Sequence, residues 1–247
     1  LGPARAIPPD QAVFPAFFER GVLDMKVVLD DGDKVAGLFF VPHTPELPVP
    51  KRHATPLSPP FKGRWLVFWG GDSPEQHQHH ALVNQRFAFD LLGLDAAGKT
   101  HAGEGALNED YYAFGREVLS PAEGLVRTVI EGVPDNAPGS MNQFSALGNA
   151  VFIEHREHEV SVLAHLKLGS VRVKAGDRVR RGQALGRCGN SGHSSEPHLH
   201  YHLQNTPVIQ DGTGIKIRFA KLVVARNGKT GPRSDYSPVK GDILSPS

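Results

Sequence analysis

The chain reads as short apolar runs broken by glycine and proline. From Arg64 onward these runs cover Trp65–Trp69, Phe87–Leu92, Gly124–Ile130, Ala150–Glu154, Val160–Leu166, Ala184–Cys188 and Leu199–Leu203. Several alternate apolar and polar positions, the pattern of a strand whose successive side chains point to opposite faces. Long stretches with the 3.6-residue period of an amphipathic helix are missing. The expected fold is therefore mainly β, an antiparallel sheet with many tight turns. Nearer the N-terminus, Met25–Leu29 and Lys34–Val41 flank the acidic, glycine-containing turn Asp30–Asp33, a hairpin pattern. Pro45, Pro48, Pro50, Pro56, Pro59 and Pro60 then follow too densely for a regular element and mark a connector. Residues 1–60 are thus expected to form a small β hairpin region with a proline-rich connector, and residues 61–247 the larger β domain.

Composition narrows the function classes. The 27 glycines and 20 prolines among 247 residues fit short strands joined by turns. With 27 basic and 26 acidic side chains the net charge is +1, which supplies no field to hold a nucleic acid. No stretch approaches the roughly 20 apolar residues that cross a bilayer, so no membrane-spanning segment is expected. Cys188 is the single cysteine, which excludes an intrachain disulfide and a cysteine-rich zinc knuckle, and it reads as a small packed hydrophobe. The chain begins at Leu1 and not at methionine, so removal of an upstream segment, a signal peptide among the candidates, is expected.

The candidate chemistry lies in the histidines. Ten of the 13 fall into three clusters: His77, His79 and His80; His155, His158 and His165; and His193, His198, His200 and His202. Neutral imidazole is a common metal ligand, so clustering invites a metal-site reading. In Pro197-His198-Leu199-His200-Tyr201-His202 an extended backbone sends all three imidazoles to one face, where one binds a metal and its neighbour handles a proton. His165 ends the alternating run Val160–Leu163, and Asp90 alternates with Phe87 and Phe89, so that it points away from the core. Taken singly, each is as well read as a structural histidine or a surface aspartate.

Six ordered motifs join these signals: Gly148–Ile153, Leu163-Ala164-His165-Leu166, Val173–Val179, Gly182-Gln183, Gly189-Asn190-Ser191-Gly192 and Pro197–His200. In this order they resemble the lysostaphin-like (LytM-type) zinc metallopeptidases, over about residues 120 to 204. The resemblance implies a β-sheet domain with a substrate groove, one zinc ion held by two histidines and an aspartate, and hydrolysis of peptide bonds in bacterial peptidoglycan. It assigns Asp90 and His200 as zinc ligands, and His198 and His165 as catalytic histidines. In that reading zinc activates a water, His198 accepts its proton and His165 stabilises charge on the scissile carbonyl oxygen. The usual first ligand stands four residues before the aspartate, which here is Arg86, a group that does not bind cations. In a divergent branch a histidine about six residues before a Gln-Arg-Tyr/Phe-Ala motif fills that role. This resemblance points to His79, with His80 the alternate. It also implies export to the periplasm or cell wall.

Neither His-Glu-x-x-His nor Gly-x-Ser-x-Gly occurs, against thermolysin-like and serine-hydrolase chemistry. Seven basic residues and the lone acidic Asp177 between Lys167 and Arg187 read as a solvated loop that also suits an anionic wall polymer. Two rivals remain. A degenerate domain that binds peptidoglycan or regulates another hydrolase without cleavage is favoured by Arg86, and a lipoyl- or biotin-carrier-like module is suggested by the Val-x-x-Gly-Asp-x-Val turn. The second lacks a lysine at a hairpin tip and leaves the histidines unexplained.

Overall fold

The computed structural model describes residues 5–6, 11–43 and 47–247, so Pro45 of the connector lies outside the described residues. Strands β1 (Arg5–Ala6), β2 (Gln11–Phe18), β3 (Gly21–Leu29) and β4 (Val35–Pro42) form an antiparallel sheet in that order. The expected hairpin is its β3–β4 half. Asp30 Oδ1 accepts the Gly32 and Lys34 N–H groups at 2.8 and 3.0 Å, and Asp33 takes a φ of 57° to turn the chain back. The region is larger than a hairpin because β2 pairs along the whole of β3. Pro15 masks β2 in the sequence. Proline is tolerated there because, among the described residues, β1 pairs only with Ala12 and Val13 and no ladder bond is asked of Pro15 on that edge.

The main sheet is built from β5 (Trp65–Trp69), β6 (Phe89–Gly93), β8 (Gly124–Ile130), β9 (Asn149–Arg156), β10 (Glu159–Leu166), β11 (Arg178–Val179), β13 (Leu199–Gln204), β14 (Gly214–Ile215), β15 (Phe219–Arg226), β16 (Lys229–Tyr236) and β17 (Ile243–Ser245). Strands β7 (Glu117–Leu119) and β12 (Ala184–Arg187) pair separately as a ribbon. The order across the main sheet is β11-β8-β9-β10-β13-β6-β5-β17-β15-β16, with β14 beside β13. Every ladder among these strands is antiparallel, in agreement with the mainly β expectation. One helical element, a 3₁₀ turn at Asn108–Asp110, precedes β7, and another, Ile209–Asp211, follows β13.

Strand β13 sits at the centre. Leu199, Tyr201 and Leu203 enter the apolar core with Phe89, Leu163 and Phe219, while His200, His202 and Gln204 alternate onto the other face, also buried. Phe219 stacks on both Phe89 and Tyr201, with ring centroids 6.0 and 6.3 Å apart, and so fastens the C-terminal strands to β6 and β13. The β15–β16 hairpin turns at Asn227-Gly228, both at positive φ (50° and 74°), which matches the twist of the strands it joins.

The connector is held against the sheet. The Glu159 carboxylate accepts the Ala54 and Thr55 N–H groups at 2.5 and 2.9 Å and the Thr55 hydroxyl. Leu57 and Phe61 are buried in the main core, and Leu57 bridges Phe219. The four-stranded N-terminal sheet, by contrast, leaves Val35, Leu38, Phe39 and Phe40 of β4 more than half exposed.

The Phe219 stack gives a direct test. Phe219→Ala should destabilise the fold by about 3–5 kcal/mol, the range for truncating a buried aromatic ring. Urea unfolding measures it, and a loss below about 1 kcal/mol would mean that the ring does not tie β15 to the central strands.

Candidate metal centre

Neighbouring strands bring the site together. Asp90 of β6 is the Cα partner of His200 on β13, and Ala164 of β10 is the partner of the same His200 on its other side. Asp90, His200 and His165 are thus set side by side by backbone pairing. His79 arrives differently. Residues 77–88 fold into consecutive tight turns, closed by N–H donation from His80 to His77, Leu82 to His79, Gln85 to Leu82 and Ala88 to Gln85. His77 pins this segment by donating from Nε2 to the Gln85 carbonyl at 2.8 Å, which leaves its buried Nδ1 without a partner. Burial brings its pKa down to about 4, so the ring is neutral at neutral pH.

These turns correct the strand expected over Phe87–Leu92, which begins only at Phe89. Asp90 is accordingly no surface aspartate; it is 2% exposed. Arg86, at the usual first-ligand position, is exposed, with its guanidinium 5.7 Å from the Phe87 ring centroid.

Among the described residues His79, Asp90 and His200 form a group whose potential ligand atoms all lie within 4.8 Å of one another. His79 Nε2 is 3.1 Å from Asp90 Oδ2, and His200 Nδ1 is 2.8 Å from Asp90 Oδ1. Two imidazole nitrogens and a carboxylate are a common donor set for zinc, so the residues present fit that ion. His80 is not in this group; it lies near Glu75. Burial by itself would raise the Asp90 pKa, but the close approach of His79 first, and of His200 and His198, outweighs it and holds the carboxyl well below its ordinary range. His200 is shifted down, chiefly by burial. Gln78, which the sequence reading passed over, donates from Nε2 to Asp90 Oδ2 at 2.8 Å.

His198 and His165 flank this centre. His198 Nε2 is 3.8 Å from Asp90 Oδ1, and its ring centroid is 4.6 Å from that of His165. Both present the same edge to the cleft. His165 donates from Nδ1 to the Ser191 carbonyl at 2.8 Å, and His198 from Nδ1 to the Glu196 carbonyl at 2.9 Å, leaving each Nε2 free as an acceptor. Burial, with the nearby His198 and His200, pushes the His165 pKa well down. The four histidines His79, His165, His198 and His200 line one cleft of about 470 Å³ with Gln78, Met141 and His193.

The backbone at His165 is unusual. Leu163 pairs with Val151 but Leu166 with Asn149, so β10 carries one extra residue there, and His165 adopts a φ of 60°. A buried side chain holds this bulge. Asn149 donates to the Leu166 and Val133 carbonyls at 2.9 and 2.8 Å and accepts the Val133 N–H at 2.9 Å. Gly148 and Gly192, at φ 60° and 80°, pack backbone to backbone. A Cβ on either would collide with the other's loop, and this approach brings Ser191 under His165.

With the geometry in place, comparison with known proteins can be set beside it. Residues 109–215 match the model of Peptidase family M23. Over that stretch the chain resembles the M23 peptidases. His165, His198 and His200 fall within the matched residues, whereas His79 and Asp90 precede them. The chain is similar to the cell division protein DipM of Caulobacter vibrioides, at 28% identity over 181 residues, covering 69% of this chain and 27% of DipM. It is similar also to the peptidoglycan DD-endopeptidase ShyC of Vibrio cholerae, at 34% identity over 116 residues, covering 47% of this chain and 25% of ShyC. The matches thus span about a quarter of these relatives. Among solved structures, the catalytic domain of the prophage-encoded M23 protein EnpA from Enterococcus faecalis matches with a TM-score of 0.43 and 19% identity, over 65% of this chain and 94% of that one. The catalytic domain of lysostaphin from Staphylococcus simulans matches with a TM-score of 0.31 and 22% identity, over 47% and 86%.

The M23 motif Gly-Asn at 148–149 therefore has a structural task in this chain: Asn149 holds the His165 bulge. Asn149→Ala leaves buried carbonyl and amide groups unpaired, each costing about 1–3 kcal/mol, and should lower stability accordingly while moving His165. Denaturant unfolding together with the histidine ring resonances reports both effects. Unchanged His165 resonances would show that the bulge is held by its neighbours alone.

Proposed function

We propose that this M23 domain is a zinc endopeptidase that hydrolyses peptide bonds in bacterial peptidoglycan, with His79, Asp90 and His200 as the metal ligands. The observation that carries the reading is the convergence of those three donor groups, two of which, His79 and His200, line a cleft that His198 and His165 also line. The similarity to a peptidoglycan DD-endopeptidase supports the wall substrate. A wall substrate in turn puts the working domain outside the cytoplasmic membrane; among the described residues no helix is long and apolar enough to cross one.

A zinc ion bound by these residues would polarise the scissile carbonyl and make water nucleophilic near neutral pH. The protein groups do the rest. His198, with its free Nε2 on the Asp90 side of the cleft, accepts the proton of the attacking water, and the Glu196 carbonyl keeps its acceptor edge forward. His165 begins as a neutral acceptor, because its Nδ1–H is committed to Ser191 and burial opposes its charge. As negative charge develops on the carbonyl oxygen, His165 takes a proton from solvent in the open cleft onto Nε2 and donates it as a hydrogen bond to that oxygen. It returns this proton on collapse, while the proton held by His198 goes to the leaving amine. Asp90, besides ligating, would balance the charge of the metal.

Arg86 is the one feature that favours a binding-only reading, and metal content paired with turnover separates the two. In this proposal purified protein holds one zinc ion. Asp90→Ala, His200→Ala and His79→Ala each lose it to a competing chelator, while His80→Ala keeps it. Loss in His80→Ala with retention in His79→Ala would reassign the first ligand.

The two flanking histidines should separate metal from rate. His198→Ala and His165→Ala keep the zinc yet slow cleavage of wall-derived peptides by about 10²- to 10⁴-fold, the contribution of a positioned proton-transfer group. Absence of cleavage by the unmodified protein across several cross-link chemistries would favour the binding-only domain.

A further inference from the structure

Behind His200 the polar face of β13 continues as an unbroken chain of buried hydrogen-bonding groups. His200 Nε2 lies 3.0 Å from His202 Nδ1, and His202 Nε2 lies 2.9 Å from Gln204 Oε1. Gln204 Nε2 donates to the Thr206 carbonyl at 2.7 Å and reaches the Val208 carbonyl at 3.4 Å. His200, His202 and Gln204 are each 1% exposed or less, so each depends on its protein partners.

The direction of donation is fixed from the far end. Backbone carbonyls only accept, and two of them face the Gln204 amide nitrogen, which turns the amide oxygen toward His202. That oxygen also only accepts, so His202 presents Nε2–H to it and, as a neutral ring, keeps a bare Nδ1. The bare nitrogen accepts from His200, whose proton therefore sits on Nε2. His200 is left with a bare Nδ1 pointing at Asp90 Oδ1, 2.8 Å away. Two acceptors at that separation repel unless a cation joins them. The reverse order, with His200 Nδ1–H donated to Asp90, would set a bare His202 Nε2 against the Gln204 oxygen. Between the two neutral arrangements, only the first leaves His200 Nδ1 able to join Asp90 through a cation.

We infer that His202 and Gln204 are positioning residues which, with the Thr206 carbonyl, lock His200 in its Nε2–H tautomer and hold its Nδ1 open for a metal ion shared with Asp90 and His79. The inference rests on the metal-centre reading above. Partners behind a ligating histidine generally fix its tautomer and ring orientation. Gly212 gives the lock its space. Its φ of −72° suits any residue, yet a Cβ there would come within 2.5 Å of Gln204 Oε1 and 2.8 Å of Nε2.

Zinc-loaded protein with isotopically labelled histidine provides the first test. Two-bond nitrogen–proton correlation should show His200 and His202 both protonated on Nε2, with Nδ1 of His200 carrying the metal. A proton on Nδ1 of either ring overturns the lock. The second test is zinc affinity by chelator competition in folded variants. His202→Phe, which breaks the chain, and Gly212→Ala, which displaces the amide, should each bind about 10- to 100-fold more weakly. His202→Gln, able to accept from His200 and donate to Gln204, should recover most of the loss. Unchanged affinity in His202→Phe also overturns the proposal. If the unmodified protein binds no zinc, the peptidase reading fails and the lock with it. If it binds zinc but carries Nδ1–H on His200, the lock alone fails and the peptidase reading stands.

Discussion

The site depends on one buried charge, the carboxylate of Asp90. An ionised carboxylate taken out of water is costly unless oppositely charged or hydrogen-donating groups surround it. At 2% exposure Asp90 has no solvent to turn to, and the protein answers with His79, Gln78, His198 and His200 around its two oxygens. Those partners come from the turns after β5 and from β13 with its approach, while the carboxylate itself sits on β6. Satisfying one carboxylate therefore fixes how these parts meet. It also explains why the turn segment is pinned so firmly by His77, since a loose segment would carry His79 away from the charge it serves.

The flanking histidines are organised by backbone in place of side-chain charge. Carbonyls of Ser191 and Glu196 take the Nδ1 protons of His165 and His198, so the two acceptor nitrogens are aimed by loop conformation. For His165 this requires an extra residue in β10, a positive φ, and a buried asparagine to absorb the displaced carbonyls. Local backbone irregularity of this kind is a device for re-aiming a side chain at the edge of a site.

Much of this was legible in the sequence, and the exceptions have physical causes. The strands of the C-terminal half announce themselves by alternation because one or both faces are buried. The hairpin at Asp30–Asp33 is visible because its turn residues suit no other conformation. Strand β2 was hidden by Pro15, and β15–β16 by Pro232 and by charges on a strand that is largely exposed, although Asn227-Gly228 is a strong turn signal that reaches this hairpin on its own. The start of β6 failed on period: alternation was carried back through Phe87, where the chain in fact runs in turns. His202 and Gln204 were within reach, since extending the two-residue rhythm of His198 and His200 leads directly to them. The identity of Gln78 as a partner of Asp90 was not, because nothing in a run of turns tells which side chain will face inward.

That two-residue rhythm also explains why site and fold are inseparable in this protein. Strand β13 is buried on both faces, with Leu199, Tyr201 and Leu203 on one and His200, His202 and Gln204 on the other. A register slip of one residue would drive two imidazoles and an amide into the apolar core and turn Tyr201 toward the carboxylate, losing both sets of contacts at once. The apolar half is therefore what specifies the register of the polar half. Each polar group in turn has a partner that exists only in that register: Asp90 opposite His200, and the Thr206 carbonyl beyond Gln204. Hydrophobic burial supplies the stability, and the hydrogen-bonded face supplies the penalty for every alternative alignment. The histidine at the centre of the cleft thus inherits its position from the aromatic stack on the reverse side of its own strand.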